Sequence, residues 1–232
     1  MSNPYFQFKQ FTVRHEHCAM KVGTDGVLLG AWAPLPDSGQ GLDIGTGTGL
    51  LALMAAQRAP QMHFTGIDID AEAARQAAEN VQASPFAHRI HISHCPLQQF
   101  EGNTYQAILC NPPYFEESLL PPEARRTTAR HTLQLSFAEL AAAAARLLAP
   151  DGIFSVILPA TAFAAFHDLC LDNGLHLLRR CDVHTTPHKP AKRILAAYTH
   201  TLQPAATEQL ILQDGNSRSE AYSRLCSDFY LH

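Results

Sequence analysis

The stretch Asn111-Pro112-Pro113-Tyr114 follows directly on the apolar run YQAILC, and two adjacent prolines there stop both a helix and a continuing strand. A bare turn is served by many sequences. These four residues add an amide, two rings that fix the backbone and an aromatic face. Upstream, Leu42-Asp43-Ile44-Gly45-Thr46-Gly47-Thr48-Gly49 sets three glycines where a backbone must turn sharply and can lie close to a ligand. The spacing G-x-G-x-G departs from the dinucleotide pattern G-x-G-x-x-G, and no P-loop lysine follows. Asp68, 19 positions beyond Gly49, closes the next apolar run, where a carboxylate can accept both hydroxyls of an adenosine ribose. Together the glycines and the acid fit a nucleoside cofactor without a pyrophosphate. The plainer alternative is a tight strand-to-helix turn followed by a solvent-facing Asp.

Such residues need a frame that delivers them to one place. From Gly41 onward apolar segments alternate with helical ones, the pattern of successive βαβ units, which predicts an α/β fold with a mostly parallel sheet covered by helices on both faces. GLDIG, MHFTGIDI, RIHISH, YQAILC and IFSVILP read as strands. LLALMAAQRA and AEAARQAAENVQA read as the helices between the first three. Ser136 and Glu139 have capping-box spacing ahead of FAELAAAAARLLA, and Pro150-Asp151-Gly152 is expected to end that helix. After a helix near FAAFHDLCLDN, the segments LHLLRRCDV and RILAAYTHT are expected to form an antiparallel pair, with a last strand near QLILQ and a last helix near SEAYSRLCSDFY. One domain spanning 1–232 is expected: an extension over 1–38, a core over 39–203, and a closing strand and helix over 204–232.

The bulk composition narrows the function classes. The chain has 232 residues, 46% of them hydrophobic and 16% charged, which is ordinary for a soluble globular protein. No apolar stretch is long enough to span a bilayer, and the opening MSNPYFQFKQF lacks the apolar core of a secretory signal, so a cytoplasmic protein is expected. The 6 cysteines, Cys18, Cys95, Cys110, Cys170, Cys181 and Cys226, include no C-x-x-C pair and signal neither a disulfide framework nor a zinc site. His88, His91, His94 and Cys95 resemble a metal cluster, but their spacing does not place them on one face of a strand, and no metal is expected. A net charge of -4 gives no global field for nucleic acid. Local patches must supply one: PHKPAKR carries Lys189, Lys192 and Arg193, EARRTTARH carries Arg125, Arg126 and Arg130, and Lys9, Arg14 and Lys21 lie near the start. Each alone also reads as an ordinary solvated loop.

LDIGTGTGLLAL, GIDID and NPPY resemble, in order and spacing, the S-adenosylmethionine (SAM) and catalytic motifs of class I amino-methyltransferases. FKQFTVRHEHCAMKVGTDGVLLGAW, SPFAHRI, NPPYF, SEAY and the terminal FYL are similar to one family in particular, the bacterial tRNA1(Val) adenine-N6 methyltransferases, which modify the adenosine just 3′ of the anticodon. The resemblance implies a Rossmann-like sheet of seven strands with SAM above its carboxyl ends, the 1–38 extension near the SAM site, a tRNA partner, and S-adenosylhomocysteine as product. It implies that Asp43, Gly45, Gly47 and Gly49 line the methionine side of SAM and that Asp68 holds the ribose. Where the family offers an Asp to the SAM adenine, this sequence has Cys95, whose weak acceptor sulfur does not replace a carboxylate. Thr24-Asp25 reads equally as an N-cap ahead of GVLLGAW and as a contact to SAM. Lys21 is open in the same way.

For the tetrapeptide the resemblance implies a catalytic role for Asn111, Pro112 and Tyr114. An adenine amino group is a poor nucleophile because its lone pair is delocalised into the ring. If the Asn111 side-chain oxygen and the Pro112 carbonyl accept its two N–H bonds, the nitrogen can pyramidalise towards the methyl group. Tyr114 can stack on the base, and Phe115 beside it reads either as part of that platform or as core. Arg125, Arg126, Arg130, Lys189, Lys192 and Arg193 are expected to meet RNA phosphates. Asn-Pro-Pro-Tyr sites also accept DNA adenine, other RNA or a protein glutamine, and a SAM fold kept as an RNA-binding module is the non-enzyme alternative. Nothing in the sequence sets the oligomeric state; a monomer is the default expectation.

Overall fold

Within YQAILC, Ala107 and Leu109 enter one apolar core while Ile108 and Cys110 enter another. A strand buried on both faces is what a near-continuous apolar run encodes. In the computed structural model, which describes residues 3–16, 21–113 and 135–231, this strand is β6 (Tyr105–Cys110), at the middle of an eight-stranded sheet. The others in the sheet are β3 (Ser38–Ile44), β4 (Gln61–Asp68), β5 (Ile90–His94), β7 (Leu148–Pro159), β8 (His176–His184), β9 (Arg193–Thr199) and β10 (Ala206–Ile211), in the order β10-β8-β9-β7-β6-β3-β4-β5. Only β9 runs against its neighbours. Seven strands were expected from the resemblance; the eighth is β10, which adds in parallel outside β8 from Ala206 opposite Arg179 to Ile211 opposite His184.

Helices cover both faces. α1 (Thr24–Trp32), α2 (Leu50–Arg58), α3 (Ala71–Gln82) and the short α6 (Glu220–Leu225) contribute to the core that holds Leu109, while α4 (Phe137–Leu147) and α5 (Phe163–Asp172) build the one that holds Ile108. The Ser136–Glu139 capping box forms as its spacing implies. Pro150-Asp151-Gly152, however, does not end α4: the helix stops at Leu147 and β7 starts at once. The three residues instead occupy a bulge, where the register slips from Tyr105 opposite Leu148 to Ala107 opposite Ile153.

Two arginines close helix ends on the first face. Arg89, from SPFAHRI, donates to the carbonyls of Ala56, Ala59 and Met62 at 2.8 to 3.0 Å, satisfying the end of α2. Arg58 does the same for α1 through Gly30 at 2.9 Å and Ala33 at 2.8 Å. A hairpin of β1 (Tyr5–Gln7) and β2 (Thr12–Arg14) precedes α1. Its Lys9 ammonium donates to the Ser227 carbonyl at 2.6 Å, and Phe6 and Phe8 meet the Tyr230 ring. The two ends of the described chain thus share one aromatic cluster. No described helix is long and apolar enough to cross a membrane.

Candidate active site

β3 lies between β4 and β6, with Ile44 opposite both Ile67 and Cys110. Gly45 and Asn111, which follow β3 and β6, and Asp68, the last residue of β4, therefore lie side by side at the carboxyl edge, with neighbouring strands about 4.8 Å apart. This is where open α/β sheets hold ligands.

Gly45, Gly47 and Gly49 have φ of 66°, 55° and 81°. The left-handed region is costly for any residue with a Cβ, so the alternating glycines are a backbone requirement. A Cβ at Gly45 would meet nothing within 4 Å, and one at Gly47 only the Gly45 carbonyl at 4.0 Å, so these two also border open space. A Cβ at Gly49 would touch Ala77 of α3 at 3.4 Å, so this glycine allows helix contact. The Gly47 N–H donates to Asp68 Oδ2 at 2.8 Å, and the Asp70 N–H to Asp68 Oδ1 at 2.9 Å. Asp68 is thus the clasp of the glycine loop as well as a carboxylate at the edge.

Asp43 is fully buried. Its Oδ2 accepts from the Thr46 hydroxyl at 2.6 Å and the Ala52 N–H at 3.2 Å, while Oδ1 has no partner among the described residues. Burial, with a smaller contribution from the nearby Asp68, pushes its carboxyl up from 3.8 to about 7. Burial likewise holds the Cys110 thiol well above its usual range, so it stays protonated beside the site.

Asn111 is half-buried, Pro112 buried and Pro113 exposed. α1 lies against this turn: a Cβ at Gly26 would come within 3.8 Å of the Asn111 amide nitrogen and 3.0 Å of Leu50. Thr24 is the first helical residue, and Gly23 occupies the N-cap without a side-chain hydrogen bond, so the capping role considered for Thr24-Asp25 is not the one adopted. Asp25 instead pairs with Arg193, from Nε to Oδ2 at 2.8 Å. Lys189 and Lys192 are exposed in the turn before β9, and Lys21 is exposed ahead of α1. Cys95 follows β5; its N–H donates to the Asp68 carbonyl at 2.9 Å and its thiol contacts the Pro96 carbonyl at 3.5 Å. Tyr114, Phe115, Arg125, Arg126 and Arg130 lie outside the described residues, as does Cys18.

The family model for the methyltransferase small domain matches residues 20–163. Proteins named tRNA1(Val) (adenine(37)-N6)-methyltransferase are similar along their whole length. That of Phocaeicola vulgatus is 47% identical, with 100% of both chains covered. That of Bacteroides fragilis is 45% identical over 100% of this chain and 99% of its own. The chain belongs to the tRNA1(Val) (adenine(37)-N6)-methyltransferase family. Among solved structures, a predicted O-methyltransferase of Agrobacterium tumefaciens superposes with a TM-score of 0.69 at 17% identity, covering 88% of this chain and 96% of that one, a likeness of fold.

Membership makes SAM the cofactor, and three features of the edge fit it. The loop at Gly45 and Gly47 leaves room for a ligand, Asp43 Oδ1 is a buried acceptor left open beneath that loop, and each Asp68 oxygen keeps a lone pair beyond its backbone bond.

The sequence pattern did not single out Thr46, Asn80 or Gly26. Asn80 is buried on α3; its amide accepts from the Arg14 N–H at 2.9 Å and donates to the carbonyls of Arg14 at 2.8 Å and Thr48 at 2.9 Å. It joins the family's glycine loop to the β1–β2 hairpin. The available signal was an amide in the apolar stripe Ala73, Ala77, Asn80 at helical spacing.

The raised Asp43 carboxyl sets a pH dependence in SAM-free protein. The unfolded group ionises near 3.8 and the folded one near 7, so between those values the unfolded chain holds fewer protons. This group's contribution to stability is then greatest below pH 3.8 and is lost as pH rises to about 7. Asp43→Asn keeps the volume without the charge. Its melting temperature should gain on the parent's by about 3 to 5 °C per pH unit between pH 5 and 7, from about 1.4 kcal/mol per unit. A difference constant with pH, by calorimetry, would show that the buried carboxyl is not held neutral.

Proposed function

We propose that this protein transfers the methyl group of SAM to N6 of the adenosine 3′ of the anticodon in tRNA1(Val). The observation that carries the reading is the full-length likeness to proteins of that name, with Asn111-Pro112 standing beside the glycine loop at one sheet edge. SAM, when bound, supplies a methyl group activated by its sulfonium. The chain's residues do the rest. Asp68 accepts the ribose hydroxyls, and the Gly45–Gly47 backbone and Asp43 line the methionine side. The Asn111 oxygen and the Pro112 carbonyl accept the two N–H bonds of the adenine amino group, which localises the nitrogen lone pair as the centre becomes tetrahedral. The two prolines hold these acceptors at one spacing before the base arrives. Tyr114 stacks on the extruded base.

Mass spectrometry of nucleosides from tRNA incubated with protein and SAM tests the reading. N6-methyladenosine at the single position 3′ of the anticodon is expected, and its absence with SAM bound would overturn the assignment.

RNA phosphates meet Lys189 and Lys192 in this reading, both exposed beside the edge. Arg193 has a second task, since Asp25 holds it at 2.8 Å. Lys189→Ala with Lys192→Ala should lower the slope of log affinity against log salt by about 1.5, from about 0.7–0.9 for each phosphate that a lysine neutralises. An unchanged slope in filter-binding titrations would assign this turn to ordinary surface.

A further inference from the structure

A second recess opens on the same edge of the sheet, separated from Asn111 by the first turn of α1. β10 runs parallel to β8, so Leu212 and Gln213, which follow it, stand at the carboxyl edge with Asn111 and Asp68. They line a cleft of about 330 Å³ together with Val22 and Val27 at the start of α1 and the group Arg218, Tyr222 and Tyr230. While Gly26 borders the Asn111 amide, Gly23, Thr24 and Val27 border this cleft.

The cleft is built rather than incidental. Ser219 donates to the Ile211 carbonyl, and its hydroxyl accepts the Tyr222 N–H at 3.0 Å, which fixes α6 against β10. The Tyr222 and Tyr230 hydroxyls meet at 3.0 Å. The strands β11 (Gln213–Asp214) and β12 (Ser217–Arg218), turning at Gly215 with φ of 59°, bring the Arg218 guanidinium 4.5 Å from the Tyr230 ring centre and 5.8 Å from that of Tyr222. Gln213 is also tied to the basic turn, its N–H donating to the Thr185 carbonyl at 3.0 Å. The recess therefore has an apolar wall, a planar cation on an aromatic ring, and the exposed Lys189 and Lys192 nearby.

Unpaired bases are recognised by stacking on aromatic rings and guanidinium planes, with cations on the adjoining backbone. We propose that this cleft receives the base of a nucleotide flanking the methylated adenosine, stacked on the Arg218–Tyr230 pair. The inference rests on the reading of the substrate as tRNA. It adds a second grip beside the catalytic one: a base flipped towards Asn111 leaves its neighbour unstacked, and this cleft, one helical turn away, restores a stacking partner.

The test uses an anticodon stem-loop RNA with 2-aminopurine at either nucleotide flanking the target adenosine; its fluorescence is quenched on stacking. In the complex with the parent protein one of the two positions should be held quenched. Arg218→Ala, a change at an exposed residue, should abolish that quench and weaken RNA binding roughly 5- to 100-fold, the span of one base stack removed, with SAM affinity unchanged. Tyr230→Leu should do the same, provided thermal unfolding shows that it keeps the parent's fold. Arg218→Lys keeps the charge and removes the plane, so it should behave as the alanine variant does. Restored quench and affinity in Arg218→Lys would make this a phosphate contact and overturn the inference, as would parent-like binding and quench in Arg218→Ala. If the parent methylates tRNA while neither flanking position is quenched, the inference fails and the functional reading stands; if it methylates no tRNA, the functional reading fails first.

Discussion

Asn111→Ala should slow single-turnover methyl transfer by on the order of a hundredfold or more, about 3 kcal/mol, while SAM still binds. The magnitude is that of removing one preorganised hydrogen-bond partner that acts mainly in the transition state. Asn111 lies on the turn after β6, beside the glycine loop and against α1. Alanine at this position keeps the turn, because Pro112 and Pro113 still fix the backbone that follows. Asn111→Asp separates acceptor chemistry from packing: a carboxylate accepts the same bond, so it should retain more activity than the alanine variant, although its charge opposes the approach of RNA. Rates at saturating tRNA and SAM remove that docking effect. If Asn111→Ala methylates there as fast as the parent, the tetrapeptide is only a turn.

The prominence of this asparagine in the sequence has a physical basis. Buried parallel strands are written as apolar runs, and the residues that end them must be turn formers or polar, so a polar residue at such a boundary stands out. Gly45, Asp68 and Asn111 were all legible in this way, and the sheet brings all three to one edge. The glycine spacing was legible because a left-handed φ leaves few alternatives to glycine.

What escaped was of two kinds. Long-range bonds leave no local pattern: Asn80 reaching Arg14 and Thr48, Asp25 pairing with Arg193, and Arg89 closing α2 each join segments far apart in the chain. Competing local signals also misled. Pro150-Asp151-Gly152 reads as a helix stop, yet Leu147 already ends the helix and the adjoining strand tolerates the proline in a bulge. The eighth strand, β10, was legible as QLILQ, but the resemblance to a seven-stranded sheet gave no place for it. Its position at the outer edge beyond β8 brings Leu212 and the β11–β12 hairpin to the side of the active site.

Asp68→Ala should weaken SAM binding by about a hundredfold to a thousandfold. Two effects add. The ribose loses its carboxylate, at about 1.5–3 kcal/mol for a hydrogen bond to a charged group. The glycine loop also loses its clasp, because the same side chain accepts the Gly47 N–H at 2.8 Å and the Asp70 N–H at 2.9 Å. Without it, Gly47 is free to leave its left-handed conformation, and ordering it again falls to the binding step. Asp68→Asn removes the charge and half of the clasp together. Its one amide oxygen can accept from Gly47 or from Asp70 but not from both, and its NH2 opposes whichever donor remains, so the amide should restore little of the affinity despite its matching shape. Asp68→Glu keeps the charge and moves it outward by one methylene, so it should bind SAM more tightly than the asparagine variant if charge dominates and no better if the clasp does. Titration calorimetry with SAM on the three variants gives the order. Parent-like affinity in Asp68→Ala would remove the ribose from this carboxylate and leave Asp68 as a structural clasp alone.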